Sequence, residues 1–132
     1  MPPHPAPEIR KILLDACRGR RVGRALVLAP EGELGGARAL RLEREIDRAI
    51  GRGDVRIVLD LKGVKSITGS AVATLIRCVA ATRVAGGDLR VARMKMGLRH
   101  SLALVGGAHW LQPHRTIEEA CAGFGEEEAR DG

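Results

Sequence analysis

The stretch VRIVLDL, residues 55–61, is a near-continuous apolar run carried by Val55, Ile57, Val58, Leu59 and Leu61. A strand with so little polar face reads as part of a sheet covered by helices on at least one side. A small polar turn follows, and the apolar residues then resume with a different period. Val72, Leu75, Ile76, Val79 and Ala80 recur at helical intervals until Gly86-Gly87 stops them. The spacing predicts a strand, a tight turn and a long packed helix.

The same alternation extends in both directions. MPPHPAP, residues 1–7, is proline-rich and is expected to be an extended tail. Ile9, Ile12, Leu13 and Ala16 form a short apolar stripe that predicts a short helix or arm over 8–20. Ala25 to Ala29 reads as a strand, with a second short strand or turn near Glu33. Ala39, Leu42, Ile46, Ala49 and Ile50 share one face of a helix. On its outer face Glu45 is expected to pair with Arg41 and Arg48, and Gly51 and Gly53 mark its end. Leu89 to Ala92 reads as a strand, LRHSLALVGG as a helix and HWLQP as a short edge strand. TIEEACAGF reads as a last helix in which Thr116 and Glu119 make a capping box. Residues 125–132 form an acidic tail expected to stay solvated. Strands alternating with helices point to an α/β fold, a mixed sheet of four or five strands packed by about four helices, in one domain over 21–124.

Composition narrows the chemistry. A chain of 132 residues with 45% apolar and 29% charged side chains has the balance of one globular domain. Cys17, Cys78 and Cys121 are too far apart for a metal or redox pair, so idle thiols are expected. Aromatic residues make up only 2%, which argues against base-stacking surfaces. The net charge of +6 is spread through every segment rather than gathered into a stripe, so nucleic acid is not the expected partner. No apolar run is long enough to cross a bilayer, and the first residues lack a charged-then-apolar leader. The expected location is the cytoplasm, with no membrane insertion.

Enzyme constellations fail on specifics. GVKSITGS has the look of a phosphate loop, but Gly63 and Gly69 are separated by five residues instead of four, and Ser70-Ala71 replaces the required Lys-Ser/Thr. GGARAL lacks the glycine spacing of a dinucleotide turn. His4, His100, His109 and His114 show no metal-ligand spacing and no neighbouring nucleophile motif. Asp60, at the end of a strand, is a candidate acid or base, or a side chain bonding nearby backbone. The residues suggest no catalytic group, metal or cofactor.

The turn Ser66-Ile67-Thr68-Gly69-Ser70 admits two readings. Ser70 lies at or beside a helix N-cap, where a hydroxyl accepts a backbone N–H bond worth about 1 kcal/mol. The same position favours anions through free N–H groups and the helix dipole. A phosphoryl group there would add roughly −1.5 to −2 charges to a surface flanked by Lys62 and Lys65.

From about Arg24 to Phe124 the sequence resembles the STAS domain, the module of bacterial anti-sigma factor antagonists that is also appended to sulfate transporters. The resemblance rests on the strand with EGEL, the helix to Ile50, the long segment VRIVLDLKGVKSITGSAVATLIRCVAATRVAGGDLRVARM, then LRHSLALVGG and IEEACAGF. In the family's central motif a strand ending Asp-Leu is followed by Gly-Val and a turn Asp-Ser-Ser-Gly-Leu. Asp60, Leu61, Gly63, Val64 and Ile67 match, and Ser70 falls on the serine that antagonists have phosphorylated. Thr68, Gly69 and Ala71 stand where the family usually has Asp, the first serine and glycine, and Gly35 falls within the expected GELD.

The resemblance implies a regulatory, non-enzymatic binding module that switches partners. Its partner would be an anti-sigma factor, a serine kinase of the histidine-kinase-like ATPase fold, with a serine phosphatase restoring the unmodified form. Ser70 is the phosphoacceptor that follows, with Thr68 and Ser66 as lesser candidates. The docking surface would comprise Lys62, Lys65, Thr68, Gly69, Ser70, Ala71, Thr74 and Arg77. The N-terminal arm would pack on the domain or form a homodimer. The alternative is an accessory subunit, for example in lipid transport, or a ligand-sensing module without phosphorylation.

Overall fold

The computed structural model describes residues 17–111, 113–122 and 124. In chain order these form β1 (Cys17–Val22), β2 (Ala25–Pro30), β3 (Gly32–Leu34), α1 (Gly36–Gly51), β4 (Arg56–Asp60), β5 (Val64–Ile67), α2 (Gly69–Val84), β6 (Asp88–Ala92), α3 (Met96–Leu104) and β7 (Pro113–His114). A last helix, α4, covers 117–122. Five strands make a sheet in the order β1-β2-β4-β6-β7, and β3 and β5 form a separate parallel pair. β1 is antiparallel to β2 and all other neighbours in the main sheet are parallel, so the sheet is mixed, as the alternating pattern predicts.

The apolar run of β4 is explained by cover on both faces. Ile57 and Leu59 point to one core together with Leu42, Ile46, Leu75 and Val79 of α1 and α2. Val58 points the other way, to a smaller core with Ala25, Val27 and Ala92 of the sheet and Ile117, Ala120 and Phe124 of the C-terminal segment. Ile57, Val58 and Leu59 are each fully buried, worth roughly 1.5–3 kcal/mol apiece. The Arg90 guanidinium lies 4.3 Å from the centre of the Phe124 ring and helps to hold that segment on the sheet.

Several local expectations change. Residues 8–16 of the expected arm lie outside those described, but 17–20 belong to β1, so the folded unit begins earlier than 21. CRGRRV hid this strand because it is an edge, with exposed arginines in place of apolar residues. Gly23, in the left-handed region at φ 57°, lets the chain reverse into β2. The polar turn is shorter than it reads, since Ser66 and Ile67 complete β5 against β3. The strand expected at HWLQP is displaced to Pro113–His114, because 108–110 form a turn. Glu45 faces inward at 4% exposure while still bonding Arg48, so the expected pairing with Arg48 forms, but not on the outer face. At α4 the Glu119 N–H donates to the Thr116 hydroxyl, and the Glu119 carboxylate accepts from the Arg115 N–H, one residue earlier than a standard capping box.

Candidate functional site

The β3–β5 pair brings two helix starts together. Leu34 is opposite Ile67 in parallel register, and the Thr68 N–H donates to the Leu34 carbonyl at 3.2 Å. Each strand feeds a helix at once, α1 from Gly36 and α2 from Gly69. The two N-termini therefore emerge side by side, and Ser70 stands between them. A Cβ built on Gly36 would come within 2.9 Å of the Ser70 Oγ, so only glycine leaves that space to the hydroxyl.

The cap of α2 is Thr68, not Ser70. The Thr68 Oγ1 accepts the Ala71 N–H at 3.2 Å, while Ser70 is already inside the first turn. The Ser70 Oγ lies 3.1 Å from the Thr68 Oγ1 and is exposed to solvent. Neither helix carries an acidic residue in its first turn, and the N-cap of α1, Gly35, offers no side chain. The positive ends of two helix dipoles thus act on one hydroxyl without a nearby first-turn carboxylate.

The other residues of the expected docking surface separate into groups. Lys65, Ser66 and Gly69 are exposed beside the turn. Ala71 and Thr74 are buried, at 0% and 3% exposure, so they support the helix from within and are removed from the exposed surface. The Thr74 hydroxyl donates to the Ser70 carbonyl at 3.1 Å and accepts from Arg77 at 3.0 Å, which ties the first two turns of α2 together. Arg77 is exposed but pairs with Glu43 of α1 at 3.2 Å, and this hydrogen bond holds its guanidinium above the ordinary value. Lys62 lines a separate cleft with Asp60 and Arg93.

Asp60 takes the structural role open to it. Its Oδ1 accepts the Lys62 N–H at 3.2 Å and the Arg93 Nε–H at 3.0 Å, and its Oδ2 accepts from the Arg93 Nη2. Among the described residues no group of acidic, histidine and cysteine side chains could hold a metal ion. No helix among them is long and apolar enough to cross a membrane. Sequence reading missed the role of Gly36. Its signal was the repeated pattern of a short strand followed directly by a glycine-led helix, GEL-GG and SIT-GS.

A family model described as "Mlab, STAS domain" matches residues 17–113. No curated protein matches the chain significantly. Among solved structures, a Thermotoga maritima protein named for an anti-sigma factor antagonist role is similar at 20% identity and a TM-score of 0.74, over 82% of this chain and 93% of that one. The Bacillus cell fate determinant SpoIIAA in its phosphorylated form is similar at 20% identity and a TM-score of 0.63, over 81% and 97%. SLC26A9 is similar at 11% identity and a TM-score of 0.68, over 86% of this chain and 22% of that one. With the family model spanning the sheet and the turn that carries Ser70, the chain belongs to the STAS-domain family.

Proposed function

We propose that this chain is a regulatory binding module, an anti-sigma factor antagonist that docks on a serine kinase of the histidine-kinase-like ATPase fold and is released when Ser70 is phosphorylated. The observation that carries this reading is the exposed Ser70 hydroxyl between the first turns of α1 and α2, with no acidic side chain in either turn. A phosphoryl dianion there is favoured by both helix dipoles and changes the charge of the docking surface without refolding the domain. The likeness to phosphorylated SpoIIAA supports the fold side of this reading. A serine phosphatase would reverse the change. Thr68 is engaged as a cap and Ser66 lies in a strand, which leaves Ser70 as the favoured acceptor. We assign the chain itself no catalytic step and a cytoplasmic location.

The test is capture of the partner by wild type, Ser70→Ala and Ser70→Asp. An ATPase-fold kinase held by the first two and lost by the third supports the switch. Equal capture by all three removes Ser70 from it.

A second reading, in keeping with the resemblance to the module appended to sulfate transporters, is an accessory subunit of a transport complex. It predicts a stable complex with a transporter ATPase, with no phosphoryl transfer to Ser70.

A further inference from the structure

The parallel strands β2, β4 and β6 end beside a cleft of about 450 Å³ on the sheet face whose other part is packed by the C-terminal segment. The register of β1 sets Arg18 opposite Ala29 and Arg20 opposite Val27, which brings both arginines to this cleft. Lys62 and Arg93 reach it from the ends of β4 and β6. Against these four cations stand the carboxylates of Glu31 and Asp60 in the lining and the charge of Glu118 acting on Arg93 from α4, which leaves the cleft net positive. Val27, Ala29 and Pro30 supply apolar lining.

Arg93 gives the cleft a built character. It alone among the described non-glycine residues has a positive φ, 58°, and its N–H donates to the His114 carbonyl at 3.0 Å. Its guanidinium is held by Asp60 through Nε and Nη2, and among the described residues Nη1 is left to donate to another acceptor. Non-glycine residues held in this conformation gather at binding sites, and the carboxyl ends of parallel strands are where α/β sheets hold ligands.

We propose that this cleft binds a small organic phosphate monoester, its dianion held among Arg20, Lys62 and Arg93 and its carbon body against Val27 and Ala29. The net positive charge suits a phosphoryl dianion, and guanidinium groups bond phosphate oxygens bidentately. The volume falls in the range of small-molecule pockets. Lys62 and Gly63 precede β5 whereas Ser70 follows it, and none of the residues lining the cleft belongs to the turn that carries Ser70.

The test is an amide NMR titration of the full chain with glycerol 3-phosphate, with succinate and phosphatidate-containing vesicles in parallel arms. Saturable shifts at Arg18, Arg20, Glu31, Lys62, Gly63 and Arg93, tighter for glycerol 3-phosphate than for succinate, are expected. Arg20→Ala and Lys62→Ala, both at exposed positions, should each weaken binding about tenfold and leave distant amides unmoved. The proposal is overturned by an absence of saturable shifts, by unchanged affinity in both variants, or by succinate binding as tightly. Binding to the vesicles without binding to glycerol 3-phosphate overturns a soluble ligand.

Discussion

Gly36 and Ser70 share one small space: a Cβ on the first residue of α1 would stand 2.9 Å from the hydroxyl oxygen on the second residue of α2. Gly36→Ala therefore forces the Ser70 hydroxyl out of its position at a cost of about 0.5–1.5 kcal/mol. The expected outcome is a several-fold loss of phosphorylation rate at Ser70 with the domain still folded. Gly35→Ala, which meets nothing within 4 Å, is the control and should leave that rate unchanged. Phosphorylation kinetics of the two variants, read beside their circular dichroism, check this.

Thr68 caps α2 through its bond to the Ala71 N–H. Thr68→Ala should cost about 1 kcal/mol of unfolding free energy, and Thr68→Ser or Thr68→Asp should recover most of it. Urea denaturation of the three variants measures the difference. An equal loss for Ser and Ala would show that the hydroxyl is not the cap.

Arg21 makes two 2.6 Å bonds to Asp54, joining β1 to the loop before β4, and this hydrogen bonding holds the Asp54 carboxyl below its ordinary value of 3.8. A depressed carboxylate contributes stability that is present above the unfolded pKa and is lost as pH falls through the folded pKa. Arg21 is half exposed, so solvent screening reduces the contribution to about 0.5–1 kcal/mol. Asp54→Asn is expected to lower stability by that amount at neutral pH and to have almost no effect well below 3.8, as read by denaturation at both pH values.

Cys78 is buried in α2, and burial pushes its thiol up to about 12. At pH 8 it is protonated and covered, so iodoacetamide should leave it unmodified in the folded protein while alkylating it in the denatured chain. Peptide mass spectrometry of both samples checks this. Equal modification would contradict the packing of α2 against the sheet.

The strands and helices with strong periodicity were legible from the sequence because burial wrote them there. β4 is apolar on both faces, and α2 places Val72, Leu75 and Val79 in the core. β1 was not legible, since an edge strand held by backbone pairing to β2 needs few apolar side chains. β5 was hidden for the same reason, with Lys65 and Ser66 exposed and the pairing supplied by β3. Ser70 was singled out by its position before a helical pattern and by the family resemblance, but its spatial neighbours were not legible. The contact with Gly36 joins segments far apart in the chain, and so does the ion pair of Asp60 with Arg93. No local period carries such information.

Phosphoryl transfer from ATP by the captured partner kinase, mapped by peptide mass spectrometry, tests the switch most directly. The account predicts one phosphoryl group on Ser70, none on Ser66 or Thr68, none in Ser70→Ala, and loss of kinase binding in the modified protein. A phosphoryl group on another residue, or a Ser70-modified protein that still binds the kinase as tightly, would contradict it.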